Sequence, residues 1–113
     1  MNSTKLSFPW GTEDLFVQNK TVTVKILYIK MGEAPSLQYH HNRDEFWKVL
    51  SGNPELVIDD KNIQAKIGDE FSVSRETKHR ILATVDDVTV LEISTGDFDE
   101  GDIVRLEDKY NRV

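Results

Sequence analysis

The chain contains no cysteine, which excludes disulfides, thiolate metal ligands and a cysteine nucleophile. It has no apolar run near the roughly 18 residues of a membrane span, and its opening MNSTKLSFPWGTED holds no apolar core of a signal peptide. A soluble, cytoplasmic protein without a membrane partner is the expectation. Basic residues are in the minority, 14 Lys and Arg against 20 Asp and Glu for a net charge of −6, so general nucleic-acid binding is not expected. An anionic ligand would need a local cluster of cations. No long amphipathic helix, internal repeat, linker or low-complexity tract is visible, and 113 residues suffice for one domain, 1–113, with one pocket.

What is present is a period of two. Val22, Val24, Ile26 and Tyr28 alternate with Thr21, Thr23 and Lys25; Glu45, Trp47 and Val49 share a face; Leu56 and Ile58 follow Asn53-Pro54. Asp59-Asp60-Lys61-Asn62 reads as a hairpin turn into Ile63, Ala65 and Ile67, and Asp86-Asp87 turns the chain into Val88–Ser94. Turn residues every eight to twelve positions predict an all-β sandwich or barrel of seven or eight short strands. Two segments stand apart. The N-terminal arm, residues 1–20, carries Phe8-Pro9-Trp10-Gly11, apolar enough to cap the barrel or cross to a partner subunit. The C-terminal tail, residues 96–113, interleaves Ile103, Val104, Leu106 and Tyr110 with charge, and its spacing fits either a strand at Ile103–Leu106 or one helical turn.

The richest stretch is GEAPSLQYHHNRDEFWKVLSG, Gly32–Gly52. Gln38 and His40 are two apart and share a face on a strand. A hairpin turn at His41–Asp44 would bring Glu45 back on the same inner face, and His79 would arrive from a later strand. Buried beside Trp47, a carboxylate needs a cation. Two imidazoles, an amide and a carboxylate suit one divalent Zn, Mn, Co or Fe ion, zinc first, rather than Mg or Ca. On a regular strand His41 points away from His40. Arg43 could bind phosphate or be solvated, and Arg80 differs in parity from His79. Trp10 and Trp47 read as packing residues, Trp47 with a second possibility as a sugar platform.

The spacings Gly32-x5-Gln38-x-His40-x4-Glu45-x6-Gly52 and Gly68-x10-His79 resemble the two signature motifs of the cupin superfamily, with glutamine for the usual first histidine. The resemblance implies a double-stranded β-helix, the jelly-roll barrel. Pro9-Trp10-Gly11, SLQYHHNRDEFWKVLSG at Ser36–Gly52 with KHRI at Lys78–Ile81, and DIVRLEDKYNR at Asp102–Arg112 narrow it. Together these segments resemble the C-terminal isomerase domain of type II mannose-6-phosphate isomerase/mannose-1-phosphate guanylyltransferase proteins. The chain departs from that pattern at Ser94, Gly101 and Asn111.

The resemblance implies aldose–ketose interconversion of mannose 6-phosphate and fructose 6-phosphate, with no nucleotide transfer. Glu92 is the first candidate for the base, since the resemblance puts a Glu in this strand, although parity alone leaves it inward or outward. His41 or a metal-bound water are the alternatives. Arg105 and Arg112 are candidates, by resemblance, to close over the site, with Arg43, Arg80 and Arg105 as the phosphate clamp. A non-catalytic sugar-binding cupin and an iron-dependent oxygenase are the competing readings. A homodimer is expected, the apolar N-terminal strand covering an exposed edge.

Overall fold

The computed structural model describes residues 3–18, 22–97 and 99–112, with the Glu100 side chain left aside. Residues 1, 2, 19 and 20 of the arm, Thr21 of the expected alternating run, and Phe98 and Val113 of the tail lie outside the described residues. Eleven strands, rather than seven or eight, run in the order β1 Thr4–Phe8, β2 Gly11–Val17, β3 Val22–Ile29, β4 Leu37–Tyr39, β5 Arg43–Ser51, β6 Glu55–Ile58, β7 Lys61–Gln64, β8 Glu70–Val73, β9 His79–Leu82, β10 Val88–Gly96 and β11 Val104–Glu107. The extra three come from the arm, which forms β1 and β2, and from the tail, where β11 forms. All pairings are antiparallel, in a six-stranded sheet β1-β2-β3-β10-β5-β8 and a five-stranded sheet β11-β4-β9-β6-β7. This is the all-β, two-sheet jelly roll that the cupin resemblance implies.

The two sheets enclose a core of Trp10, Leu27, Ile29, Trp47, Val49, Leu56, Val73, Ile81, Val88 and Val90. Both tryptophans are core residues, Trp10 stacked on Phe8 at 5.0 Å between centroids. The predicted turns form: Asp59-Asp60 joins β6 to β7 with Asp59 at φ 57°, and the Asp86 carboxylate accepts from both the backbone and side-chain nitrogens of Asn53. Gly52 has φ +83°, and a Cβ there would lie 2.2 Å from the Asp87 carbonyl oxygen, so this corner accepts only glycine.

One expectation is corrected. β4 and β5 are not a hairpin: β4 belongs to the smaller sheet and β5 to the larger. The segment His40–Asn42 crosses between the sheets, so the predicted ligands approach one another from opposite walls rather than along two paired strands.

In the larger sheet the inward set of β3 is Thr23, Lys25, Leu27 and Ile29, while Val22, Val24, Ile26 and Tyr28 face outward and are half-buried. Of the two structures allowed by the tail's spacing, the strand forms, one residue on at Val104–Glu107. A single 3₁₀ turn, Glu100–Asp102, is capped by the Asp99 carboxylate accepting from the Gly101 amide at 2.9 Å, and β11 follows.

Candidate metal centre and its cavity

Strand alternation turns Arg43, Glu45, Trp47 and Val49 of β5 inward. Register then sets Ser94 beside Glu45 and Glu92 beside Trp47 on one side of β10, and Thr23 and Lys25 beside Ser94 and Glu92 on the other. Glu92 is thus inward and buried. From the smaller sheet come His79, the first residue of β9, Gln38, its direct partner on β4, and His40 just beyond β4. His40, Glu45 and His79 are all buried, and their ligand atoms lie within 4.8 Å of one another. His40 Nε2 is 3.2 Å from Glu45 Oε2, His79 Nε2 is 3.7 Å from Glu45 Oε1, and the imidazole centroids are 5.1 Å apart.

The outer contacts fix how these groups can act. His40 Nδ1 lies 3.2 Å from the Asp102 carbonyl and His79 Nδ1 lies 2.9 Å from the Thr77 carbonyl. A carbonyl only accepts, so each Nδ1 carries a proton and each ring turns its Nε2 toward Glu45, where a neutral ring offers a lone pair. Burial lowers the His79 pKa despite the opposing Glu45 charge and Thr77 hydrogen bond, which keeps the ring in this neutral form. Burial also works against ionisation of Glu45, but the adjoining His40 and His79 imidazoles and the Arg43 guanidinium outweigh it and hold the carboxyl well below the usual carboxylate range.

Glu45 Oε1 accepts from Trp47 Nε1 at 3.0 Å, whereas Oε2, fully enclosed, has no hydrogen-bond partner among the described residues. Arg43 supplies positive charge here, Nη2 donating to His40 Nε2 at 3.0 Å and Nε standing 3.3 Å from Glu45 Oε2, near enough for charge pairing but misdirected for a hydrogen bond. Two imidazole lone pairs, a carboxylate oxygen without a donor and the adjacent Gln38 amide fit a divalent borderline cation.

Beside this cluster lies a narrow cleft of about 70 Å³. Its lining includes Gln38, His40, Arg43, Glu45 and Glu92, the apolar Phe8, Trp10 and Leu27, and the guanidinium-bearing Arg105 and Arg112. Arg105 Nε is buried with no hydrogen-bond partner among the described residues. The Arg112 guanidinium donates to both carboxylate oxygens of Asp108, at 2.7 and 3.0 Å. Burial, and next the charge of Glu45, push the Glu92 carboxyl well above its ordinary range against the opposing influence of Lys25 and Arg43, and Glu92 and Glu45 share a hydrogen bond.

The predicted site residues His41 and Arg80 do not line this cleft, although Arg80 lines the small cavity beside it with Gln38, Trp47, His79 and Glu92. His41 is half exposed, its Nδ1 3.3 Å from Glu76 Oε2, because the chain leaves the strand after Tyr39. Arg80 donates through Nε to the Pro35 carbonyl at 3.0 Å and through Nη1 to Glu107 at 3.3 Å, anchoring the tail. Three residues that sequence reasoning did not single out are part of the site. Lys25 and Glu13 form a buried pair at 3.2 Å inside the cleft, signalled only by a lysine sharing parity with the inward residues of β3. Asp102 stands behind His40, and its signal was its place at the head of the tail motif.

Residues 1–108 match the family described as Mannose-6-phosphate isomerase C-terminal. Among similar proteins are the Klebsiella pneumoniae "Mannose-1-phosphate guanylyltransferase", 34% identical over 113 residues, and the Pseudomonas aeruginosa "Alginate biosynthesis protein AlgA", 34% identical over 108 residues. These alignments take in 92% and 93% of this chain but only 22% of either relative. The fold is shared with the capsular polysaccharide assembling protein CapF of Staphylococcus aureus (TM-score 0.77, 19% identity, 94% of this chain and 34% of that one). It is shared equally with Streptomyces PAC13 (TM-score 0.79, 14% identity, 94% and 86%).

Proposed function

Because this chain belongs to the mannose-6-phosphate isomerase C-terminal family, we propose that it is a metal-dependent sugar-phosphate isomerase interconverting mannose 6-phosphate and fructose 6-phosphate. The observation that carries the reading is the convergence of His40, His79 and Glu45 beside a cleft that Arg105 also lines, its Nε buried without a hydrogen-bond partner among the described residues. A divalent ion held by Gln38, His40, Glu45 and His79, zinc first and Mn, Co or Fe as alternatives, would polarise the carbonyl and hydroxyl oxygens of the substrate.

Glu92 carries the migrating proton: it removes the hydrogen from C2 as a proton and returns it to C1, while the O2 proton passes to O1, so aldose becomes ketose with no net change in atoms. A carboxyl pushed above its usual range is a stronger base once ionised, which suits this task. Arg105 holds the phosphate, with Arg112 beside it, and Arg43 offsets charge developing near Glu45. Trp47 packs under the sugar and donates to Glu45. His41 and Arg80 are not part of this machinery, since their polar groups are engaged elsewhere. A homodimer is the proposed assembly, because β1 closes the larger sheet with only β2 as partner.

A second reading, a sugar-binding cupin without turnover, is favoured by the guanidinium of Arg43 lying directly against His40 Nε2. Incubating the zinc-, manganese- or cobalt-loaded protein with mannose 6-phosphate in D2O separates the two. Fructose 6-phosphate and deuterium exchange at C2 support the isomerase, and stoichiometric sugar-phosphate binding with neither product defeats it.

A further inference from the structure

The C-terminal tail is tied to the metal centre at two points. Asp102 ends the capped 3₁₀ turn, and both its carboxylate oxygens accept from the His41 amide, at 3.1 and 3.2 Å, while one also accepts from the Asn42 amide at 2.9 Å. Its carbonyl meets His40 Nδ1. Three residues on, Arg105 pairs directly with Gln38 across β11 and β4, and both side chains face the cleft. Gly96 lets the tail depart: at φ +109°, with a Cβ 2.3 Å from the Asn42 carbonyl, no other residue fits against the crossover that carries His40. One short segment therefore bears both the group that orients a metal-binding imidazole and a cation lining the cleft.

We propose that Asp102 is a positioning residue for the metal centre, and that an anion on Arg105 and a divalent cation at His40 each strengthen the binding of the other through the Asp102–Arg105 strap. The inference rests on the metal-binding part of the reading above and not on isomerisation. When the anion draws Arg105 inward, the strap is held against β4 and the Asp102 carbonyl is held on His40 Nδ1, which fixes the tautomer and ring angle that leave Nε2 available. Linkage makes the effect reciprocal. Sulfate is a suitable probe, as a tetrahedral dianion that does not precipitate zinc.

The test is competition of the intact protein with a chromophoric chelator for Zn²⁺, with sulfate or with chloride at equal ionic strength. Asp102→Ala keeps the carbonyl but removes the carboxylate that holds it in place, so a loss of zinc affinity of about 10-fold is expected, the lower end for disturbing an outer-shell partner. Asp102→Asn, whose amide oxygen still accepts one amide hydrogen bond, should recover part of it. Sulfate should tighten zinc binding of the wild type at least about 5-fold, the lower end of ordinary site-to-site coupling. Arg105→Met should lose the sulfate response, its zinc affinity in sulfate equalling its own affinity in chloride. Wild-type zinc affinity in Asp102→Ala, or an undiminished sulfate response in Arg105→Met, would overturn the proposal while leaving the metal site standing. Absence of zinc binding by the wild type would overturn both. Melting of metal-free Asp102→Ala and Asp102→Asn identifies a folding defect, and if the alanine variant is unfolded, the asparagine variant decides by the same criterion.

Discussion

Lys25→Met removes one member of an ion pair sealed inside the larger sheet. Lys25 Nζ and Glu13 Oε1 are 3.2 Å apart, with side chains only 5% and 8% exposed, so solvent neither screens the pair nor rescues the survivor. Deleting one partner leaves a carboxylate in the interior, which costs about 3–5 kcal/mol. For a chain of this size that is a fall in melting temperature of roughly 10–20 °C. Replacing both residues with apolar ones of similar volume removes the stranded charge, and such replacements are commonly neutral or better. Lys25→Met with Glu13→Leu should therefore recover most of the loss, short of the contribution Lys25 makes beside Glu92 in the register. Urea unfolding of the metal-free wild type, both single variants and the double variant closes the cycle. A loss below about 1 kcal/mol for Lys25→Met, or a double variant whose loss equals the sum of the singles, would refute the reasoning.

Three further expectations are simpler. His40→Ala and His79→Ala should each abolish tight zinc binding, read by chelator competition; one full equivalent retained by both variants would remove them from the ligand set. Asp108 is held at about 2 by the Arg112 hydrogen bonds, despite burial. Because its folded pKa lies below the unfolded one, its contribution is complete above about 4 and is lost as pH falls from there toward 2. Melting curves across that range should fall more steeply for the wild type than for Asp108→Asn, and parallel curves would contradict the assignment. Gly52→Ala forces a Cβ to within 2.2 Å of the Asp87 carbonyl at φ +83° and should lower the urea midpoint by several tenths of a molar or more, for a cost of about 1–3 kcal/mol; an unchanged midpoint would refute that constraint.

The elements that could be read from the sequence are those whose signal is local. Period-two alternation and the Asp-rich turns located β3 and β5 to β10, and the spacing of Gln38, His40 and Glu45 announced a shared site because strand parity is a short-range rule. Parity could not tell which sheet a strand joins, and so β4 and β5 were expected as a hairpin when the chain in fact crosses the barrel. It also could not choose between faces for Glu92, since the inward residues of β10 are apolar at one end and polar at the other. Asp102 acts through a carbonyl, a group every residue carries, and only the fold brings that carbonyl to His40. Arg80 and His41 were plausible by type, yet which of their atoms remain available depends on Pro35, Glu107 and Glu76, all distant in the chain or unremarkable in composition.

The inner face of the larger sheet divides into a polar and an apolar half. Along β3 the inward residues run Thr23, Lys25, then Leu27, Ile29; along β10, Ser94, Glu92, then Val90, Val88; along β5, Arg43, Glu45, then Trp47, Val49. Register aligns the change on β3 and β10, Lys25 facing Glu92 and Leu27 facing Val90, while β5 changes one inward residue sooner, Glu45 lying beside Ser94 and Trp47 beside Glu92. One half of the interior is an ordinary apolar core, and the other buries acids, a lysine and an arginine that cost stability unless paired. The apolar half offsets that cost, so neighbours two residues apart on β10 should have separable effects. Val90→Ala, at a fully buried site, should lower stability by about 1–3 kcal/mol and leave zinc affinity unchanged. Glu92→Gln keeps a hydrogen-bond donor for Glu45 and should leave the urea midpoint nearly unchanged while abolishing proton exchange at C2. If instead Val90→Ala weakens zinc binding as strongly as it lowers stability, the two halves are one cooperative unit and the division fails.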